Sequence, residues 1–291
     1  MGLPKFNYVA PETVQEACQI LEKLGGQAKV MAGGTDLLIK MKHGALRPKT
    51  IVGLRKIKEL RKISFRKNQG LFIGAMALLE EVASHPKVKK LYPAVAYAAS
   101  QTATVQIRNM GTVVGNICNA APSADNIPSL MAFGAELIIA SPNGERRILL
   151  ENFFKGPGEV NLNRGELVKG VLVPPPPEGS GVSYQFISQR SKVDIAAVCV
   201  AAMVVIDKGR TRDVKIVLGA VAPTPIRALE AEGLLRGKKL ADRSIQKAAE
   251  QASQEARPIT DMRATSEYRR LMVAVLTKRA LLEARQMALA S

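Results

Sequence analysis

The chain has 291 residues with 47% hydrophobic composition, enough for a sizeable core, and its formal net charge is +17. The absence of a run of about 18 apolar residues excludes a membrane-spanning helix, and the first residues lack the basic and apolar regions of a secretory signal. Three scattered cysteines and two histidines argue against a disulfide framework or a metal site built by this chain alone. We therefore expect a cytoplasmic protein whose length suggests two domains.

The positive charge is compatible with a nucleic-acid-binding protein, or with an ordinary basic surface that faces solvent or an acidic partner. The basic residues are spread along the chain, and the densest run, residues 54–67, is interrupted by apolar residues as a half-buried segment would be. Aromatic residues make up only 4% of the chain and tryptophan is absent, so few side chains could stack on bases. We predict no nucleic-acid partner.

The N-terminal part, residues 1–55, predicts a small β/α unit. Residues 12–24 place apolar side chains at helical spacing, and two glycines end the run. Residues 28–32 predict a short buried strand, a glycine turn follows, and a helix is expected from Asp36 onward. Residues 50–54 predict the next strand.

Helices and strands then alternate without an internal repeat. The strand-like LFIGAM precedes a short helix near LLEEVASH, and residues 91–101 predict a helix with small side chains. Residues 128–154 predict a helix, a strand, a hairpin turn at Asn143-Gly144 and another strand.

The clearest boundary is VLVPPPPEGSG, residues 171–181. Consecutive prolines cannot sit inside a helix or a central strand, and they form a stiff extended connector. Beyond it, residues 194–207 and 214–223 predict two strands. The remainder is predicted to be helical, ending in a long helix near residues 266–288.

The segment AGGTDLL, residues 32–38, combines a strand end, two glycines and a helix start. Glycine permits positive φ and leaves no Cβ in the way, and a helix start presents free N–H groups and a partial positive charge. Together these features suit a phosphate. A purely structural turn with Thr35 as helix N-cap explains the segment too, and taken alone the segment favours that interpretation.

The segment GTVVGNICNAAPSAD, residues 111–125, has the same features in a longer form. Two glycines free the backbone, short polar side chains offer hydrogen bonds, and Asp125 can accept two hydrogen bonds from a ribose diol. A glycine-rich buried loop whose asparagines satisfy its own backbone is the structural alternative. The usual nucleotide motifs, a Walker GxxxxGK[ST] and a GxGxxG after a strand, are missing. Two such segments in one chain suggest a phosphate-and-sugar ligand held from two sides.

The paired segments resemble the FAD-binding subunits of the molybdenum hydroxylases, the relatives of xanthine dehydrogenase, carbon monoxide dehydrogenase and hydroxybenzoyl-CoA reductase. In that family the second motif reads RNxGTxGGN, followed by a small-residue run, a proline and a late aspartate. RATSEYRR, residues 263–270, resembles the family's C-terminal helix signature, and the resemblance covers nearly the whole chain. The positions that match the second motif are Arg108, Asn109, Gly111, Thr112, Gly115, Asn116, Pro122 and Asp125.

The resemblance implies an α+β fold. It consists of a two-subdomain FAD-binding domain of the PCMH (vanillyl-alcohol-oxidase-like) type, followed by a C-terminal α+β domain with a small antiparallel sheet and helices. We predict the FAD-binding domain at residues 1–175, with subdomains at about 1–55 and 56–175, and the C-terminal domain at residues 178–291.

The resemblance also implies where FAD binds. The first segment would cradle the pyrophosphate through its backbone, the second would face the phosphates and the isoalloxazine side, and Asp125 would bind the adenosine ribose with Ser123 nearby. No catalytic side chain and no metal ligand is predicted on this chain. The full predicted FAD-binding set is Val30, Met31, Ala32, Gly33, Gly34, Thr35, Asp36, Leu37, Gly111, Thr112, Val114, Gly115, Asn116, Asn119, Ser123, Asp125, Val168 and Phe186.

Two positions depart from the family pattern. Val114 stands where most relatives have the first glycine of Gly-Gly-Asn, and it would be strained if that position needs positive φ. Phe186 stands where relatives often carry a lysine near the flavin. A phenylalanine there would alter the redox poise, stack on the ring or only pack.

The function implied by the resemblance is that of an electron-transfer subunit. A large molybdopterin-binding partner would oxidise the substrate, and a small iron–sulfur partner would pass electrons to FAD on this chain, which would reduce NAD, a quinone or a protein. The alternatives are a stand-alone FAD-dependent oxidoreductase of the same fold and a structural subunit that has lost FAD.

Overall fold

The computed structural model describes residues 2–190 and 193–290. The strands are β1 Asn7–Val9, β2 Ala28–Met31, β3 Thr50–Gly53, β4 Ile63–Arg66, β5 Gly70–Gly74, β6 Glu136–Ser141, β7 Gly144–Leu149, β8 Phe154–Gly156, β9 Glu159–Val160, β10 Leu167–Val173, β11 Ser180–Ile187, β12 Val198–Asp207, β13 Arg210–Gly219 and β14 Ile226–Arg227. The helices are α1 Val14–Leu24, α2 Leu37–Lys42, α3 Leu79–Ser84, α4 Pro86–Leu91, α5 Pro93–Gln101, α6 Val105–Arg108, α7 Val113–Asn119, α8 Asn126–Ala132, α9 Leu229–Leu235, α10 Asp242–Glu255 and α11 Ser266–Ala290.

The N-terminal unit is a parallel sheet in the order β1-β3-β2 with α1 packed beside it. Thr13 caps α1 by accepting a hydrogen bond from Glu16 N at 3.1 Å. Gly25, with φ +53°, ends the helix. The predicted helix α1 is confirmed, as are the predicted strands β2 and β3, which lie before and after the glycine turn.

The second unit is an antiparallel sheet in the order β4-β5-β10-β6-β7. Helix α7 packs against its strands β5 and β10, α8 packs against α7 and α5, and α5 packs against α3. The predicted hairpin between β6 and β7 is confirmed, with Ser141 paired to Gly144. Tyr92 and Phe133 pack against each other in its core, with ring centroids 5.2 Å apart.

Residues 113–119 are helical, so the alternative of a glycine-rich buried loop is wrong for this part of the segment. Val114 lies inside α7, is 3% exposed and has an ordinary helical φ. The valine is therefore a core residue without backbone strain. The left-handed conformation in this region falls on Ala120, φ +49°, which ends the helix.

The C-terminal unit is an antiparallel sheet in the order β11-β12-β13-β14, covered by α9, α10 and α11. The strands predicted as β12 and β13 and the long final helix are confirmed, whereas β11 was not predicted. Gly181 lets α11 approach β11, because a Cβ there would lie 2.0 Å from the Ala284 carbonyl oxygen. The α+β fold expected from the resemblance is thus observed.

Strand β12 joins the two hydrophobic cores because its alternate side chains are buried on opposite faces of the sheet. One face contributes Cys199, Ala201, Met203 and Val205 to the core of the first two units. The other face contributes Val198, Val200, Ala202 and Val204 to the core under α10 and α11.

The predicted domain limits, residues 1–175 and 178–291, stay a prediction; the proline connector, residues 174–177, runs between β10 and β11. Among the helices that the structure describes, none combines the length and the apolar character needed to cross a membrane.

A buried ion pair in the C-terminal unit gives a stability prediction. Glu232, 1% exposed, accepts hydrogen bonds from Ile216 N at 2.9 Å and from Arg227 Nε at 3.0 Å. Replacing Arg227 with Met removes the nearest cation of the buried carboxylate, so we expect a loss of about 3 kcal/mol in the free energy of unfolding. Urea denaturation measures that loss.

Arg236→Met is the matched control. Arg236 also reaches Glu232, but at 3.6 Å and from a side chain that is 52% exposed, so its loss should cost less than about 1 kcal/mol. Equal losses in the two variants would contradict the assignment of the buried pair to Arg227.

Candidate functional site

A cavity of about 1020 Å³ lies where the parallel sheet, the second unit and the C-terminal unit meet. All of the predicted FAD-binding residues line it except Phe186. They are Val30, Met31, Ala32, Gly33, Gly34, Thr35, Asp36, Leu37, Gly111, Thr112, Val114, Gly115, Asn116, Asn119, Ser123, Asp125 and Val168. The fold thus brings two segments that are distant in sequence to one cavity.

The two segments touch through their backbones. A Cβ added to Gly33 would lie 2.1 Å from the Met110 carbonyl oxygen and 2.9 Å from the Cα of Gly111. Since non-bonded heavy atoms pack at about 3.5–4 Å, any side chain at residue 33 would push the walls apart. Gly34 has φ +75°, which glycine adopts without strain. Residue 33 must therefore be glycine because the two backbones approach so closely. Residue 34 must be glycine because its φ is positive.

The turn after β2 leads directly into α2. Leu38 N donates to the Gly34 carbonyl at 3.0 Å, and Lys40 N donates to the Asp36 carbonyl at 2.9 Å. Asp36, rather than Thr35, occupies the N-cap position. The interpretation of Thr35 as a structural helix cap is therefore wrong, and Thr35 instead lines the cavity.

Helix α7 is capped by Thr112, whose Oγ1 accepts a hydrogen bond from Gly115 N at 2.9 Å. Thr112 is 2% exposed, and Leu79 N donates to the neighbouring Gly111 carbonyl at 2.9 Å. The start of the second segment is thus fixed by bonds of its own before any ligand is considered.

The two asparagines of α7 are oriented by neighbouring side chains. Asn116 Oδ1 accepts a hydrogen bond from Asn126 Nδ2 at 3.0 Å, and Asn119 Oδ1 accepts one from Lys40 Nζ at 2.6 Å. Asn126 is 1% exposed and also donates to Thr102 Oγ1 at 3.1 Å. With both carbonyl oxygens engaged, the asparagines can offer N–H donors to a ligand. Such donors suit phosphate oxygens and ring carbonyls.

Arg108 of the matching motif supports the cavity wall. Its Nε donates to Glu80 Oε2 at 2.8 Å, and its Nη1 donates to the Ala103 carbonyl at 3.0 Å. Ala103 lines the cavity with φ +50°, a conformation that residues with a Cβ rarely adopt. The guanidinium therefore holds a strained piece of backbone in place.

Asp125 is the half-buried carboxylate acceptor of the site. It lines the cavity, and its Oδ1 accepts a hydrogen bond from the Tyr184 hydroxyl at 3.0 Å. Burial raises the pKa of the Asp125 carboxyl to about 6, while the bond from Tyr184 opposes that rise. The carboxyl is therefore mainly ionised at neutral pH and can accept hydrogen bonds from hydroxyl groups.

The C-terminal unit also contributes residues that the sequence analysis did not predict. Gln189 Nε2 donates to the Arg263 carbonyl at 2.8 Å, and Arg190 Nη2 lies 3.4 Å from Asp194 Oδ1. These residues reach the cavity through long-range packing, which no local pattern reveals. Two sequence signals pointed to this region: Arg190 ends the segment in which relatives carry a lysine, and Arg263 begins the RATSEYRR segment. The C-terminal lining residues are Gln189, Arg190, Val193, Asp194, Ile195, Met262 and Arg263.

Phe186 lies in an aromatic cluster instead. Its ring stacks on Tyr184 with centroids 6.1 Å apart and 18° between the planes, and lies 6.5 Å from the ring of Tyr97. Phe186 therefore packs against other rings of this chain, and its predicted effect on FAD stays a prediction.

The cavity fits a large ligand with anionic, sugar and ring parts. Its volume is at the upper end of the range for small-molecule sites, about 300–1,000 Å³. Backbone is accessible at the two glycines, and cationic side chains are present beside carboxylate acceptors. The charged lining residues are Lys29, Lys40, Arg190, Arg263, Asp36, Asp125, Glu166 and Asp194.

Comparison with known protein families gives a match for each of the two parts of the chain. Residues 4–176 match the family model described as the FAD binding domain in molybdopterin dehydrogenase. Residues 183–284 match the CO dehydrogenase flavoprotein C-terminal domain.

Individual relatives align over almost their whole length. The glyceraldehyde dehydrogenase medium chain of Sulfolobus acidocaldarius is 35% identical, covering 96% of this chain and 98% of the relative. The xanthine dehydrogenase FAD-binding subunit of Escherichia coli O157:H7 is 33% identical, covering 96% and 95%. Among solved structures, a carbon monoxide dehydrogenase from Hydrogenophaga pseudoflava superimposes with a TM-score of 0.93 at 33% identity, covering 98% of both chains.

The paired cavity segments, the two matching domain families and the full-length relatives agree on one family. The chain belongs to the FAD-binding subunits of the molybdenum hydroxylases, and is an oxidoreductase subunit whose cofactor is FAD.

Proposed function

We propose that FAD occupies the cavity with its pyrophosphate against residues 32–35. Two observations support this orientation. Gly33 and Gly34 line the cavity there, and Lys40 Nζ, 2.6 Å from Asn119 Oδ1, supplies a positive charge between the two segments. The observation that carries the proposal is the convergence of both segments on one cavity.

The second segment would bind the rest of the cofactor. The amide groups of Asn116 and Asn119 are donors for phosphate oxygens or for the ring carbonyls, and the Asp125 carboxylate is the acceptor for the adenosine ribose hydroxyls. Ser123 lies in the same turn, and Val168 of β10 adds apolar surface. The residues missed by the sequence analysis, notably Lys40 and Arg190, join this set.

We further propose that the chain passes electrons from a partner subunit to an external acceptor in a molybdenum hydroxylase complex. A large molybdopterin-binding subunit would oxidise the substrate, and a small iron–sulfur subunit would supply the electrons. Bound FAD accepts electrons singly and releases them in pairs, and the protein positions it and sets its electronic environment. The external acceptor would be NAD, a quinone or a protein.

The test is made on the complex of this chain with both partners. Removing FAD from this chain should abolish reduction of NAD or quinone, while substrate-dependent reduction of the iron–sulfur clusters continues. Loss of cluster reduction as well would contradict the proposed order of electron flow. Full activity of the isolated chain with its own substrate would instead indicate a stand-alone flavoenzyme.

Gly33→Ala tests the contact between the two cavity walls. The added methyl group collides with the Met110 carbonyl, so we expect FAD content after desalting to fall well below one per chain. Gly26→Ala is the control, because a Cβ at residue 26 has no described atom within 4 Å. Chromatography of the released flavin measures both, and stoichiometric FAD in Gly33→Ala would contradict the proposed position of the pyrophosphate.

Asp125→Ala tests the acceptor assigned to the ribose. Losing hydrogen bonds to a charged group should weaken FAD binding by about 1.5–3 kcal/mol. Titration of the FAD-free protein with FAD, followed by quenching of flavin fluorescence, gives the dissociation constant. Unchanged affinity would remove Asp125 from the site.

A further inference from the structure

The cavity wall formed by residues 122–125 is held by the C-terminal unit. Ala220 N, just after β13, donates to the Pro122 carbonyl at 2.8 Å. The Tyr184 hydroxyl, on β11, donates to Asp125 Oδ1 at 3.0 Å. Two strands of one sheet therefore fix both ends of this short segment.

Both anchors have further contacts of their own in the C-terminal unit. Arg269 of α11, 3% exposed, donates to the carbonyls of Ala197 and Ala220, each at 2.9 Å. Tyr184 is 3% exposed and stacks on Phe186. A buried tyrosine hydroxyl needs a partner. The Tyr184 hydroxyl donates to Asp125 and also interacts with the Cys199 thiol.

The hydrogen bond from the Tyr184 hydroxyl leaves Asp125 with a defined number of free acceptor positions. A carboxylate has about four acceptor positions, and the tyrosine fills one on Oδ1. It also fixes the rotation of the carboxyl group, so that the other positions are aligned before a ligand arrives. Preorganisation of this kind lowers the entropic cost of binding.

We propose that Tyr184 is a positioning residue for the FAD site, through which the C-terminal sheet orients the Asp125 carboxylate toward the cofactor ribose. This inference rests on the proposed role of Asp125. It assigns a cofactor-binding function to a residue that lies outside the cavity lining.

The arrangement makes FAD affinity depend on pH. The titratable groups packed against Asp125 are Tyr184 of β11 and Cys199 of β12, and burial raises the pKa of both, so both are uncharged at neutral pH. The carboxylate form accepts hydrogen bonds from the ribose, so affinity should fall as pH drops through the Asp125 pKa of about 6. Because the tyrosine bond lowers that pKa, its removal should move the fall in affinity to higher pH.

The experiment measures the FAD dissociation constant between about pH 5 and pH 8 for four variants of the full chain. Tyr184→Phe keeps the ring and removes the hydroxyl, and we expect about tenfold weaker binding at neutral pH, the equivalent of about 1.4 kcal/mol. Its pH midpoint should lie above that of the unmodified protein. Tyr97→Phe is the matched control, since it removes a hydroxyl from the same aromatic cluster, 6.3 Å away between ring centroids.

The Asp125→Asn variant tests the proposed ribose contact independently of the role of Tyr184. That variant should bind FAD weakly at every pH, and adding Tyr184→Phe to it should change the affinity no further. If Asp125→Asn weakens binding but Tyr184→Phe leaves the affinity and the midpoint unchanged, the role of Tyr184 is wrong. An equal loss at all pH values in Tyr184→Phe, with an unmoved midpoint, also overturns it. If Asp125→Asn has no effect, the ribose assignment itself fails.

Discussion

The contact between the backbone of Gly33 and the Met110 carbonyl is the constraint on which the site depends. It sets the distance between the turn after β2 and the segment that leads into α7, and therefore the shape of the cavity between them. Only a residue without a side chain permits that approach. The parallel sheet, the antiparallel sheet, the helix cap at Thr112 and the hydrogen bonds of Arg108 all help to bring two stretches of main chain together at this one point.

Much of this site could be predicted from the sequence because its signals are local. A strand end, two glycines and a helix start lie within a few residues, and Asp125 follows the second segment closely. The same reasoning failed for α7, because Gly115 and two asparagines are typical of a loop. The buried side chains of Val113, Val114 and Ile117 nonetheless stabilise a helix there. Tertiary packing outweighs a weak helical propensity in a helix this short.

The contributions of the C-terminal unit were beyond local prediction for a different reason. Strand β11 contains Gly181, Ser183 and Gln185, residues that do not mark a strand, and it is held in the sheet by pairing along one edge with β12. Tyr184 contacts Asp125 only because β11 packs against the turn that precedes α8. A contact between residues so far apart in sequence is a property of the topology and leaves no spacing to recognise.

Strand β12 has a further consequence for how the protein unfolds. Its side chains belong alternately to two cores, so separating the C-terminal unit from the rest would expose a row of apolar groups on each piece. Exposing apolar surface to water costs about 25 cal/mol per Å². The proline connector divides the chain into two parts in sequence, yet the shared strand makes them one cooperative unit. Cleavage within residues 174–177 should therefore yield two fragments that stay associated and lose their structure together.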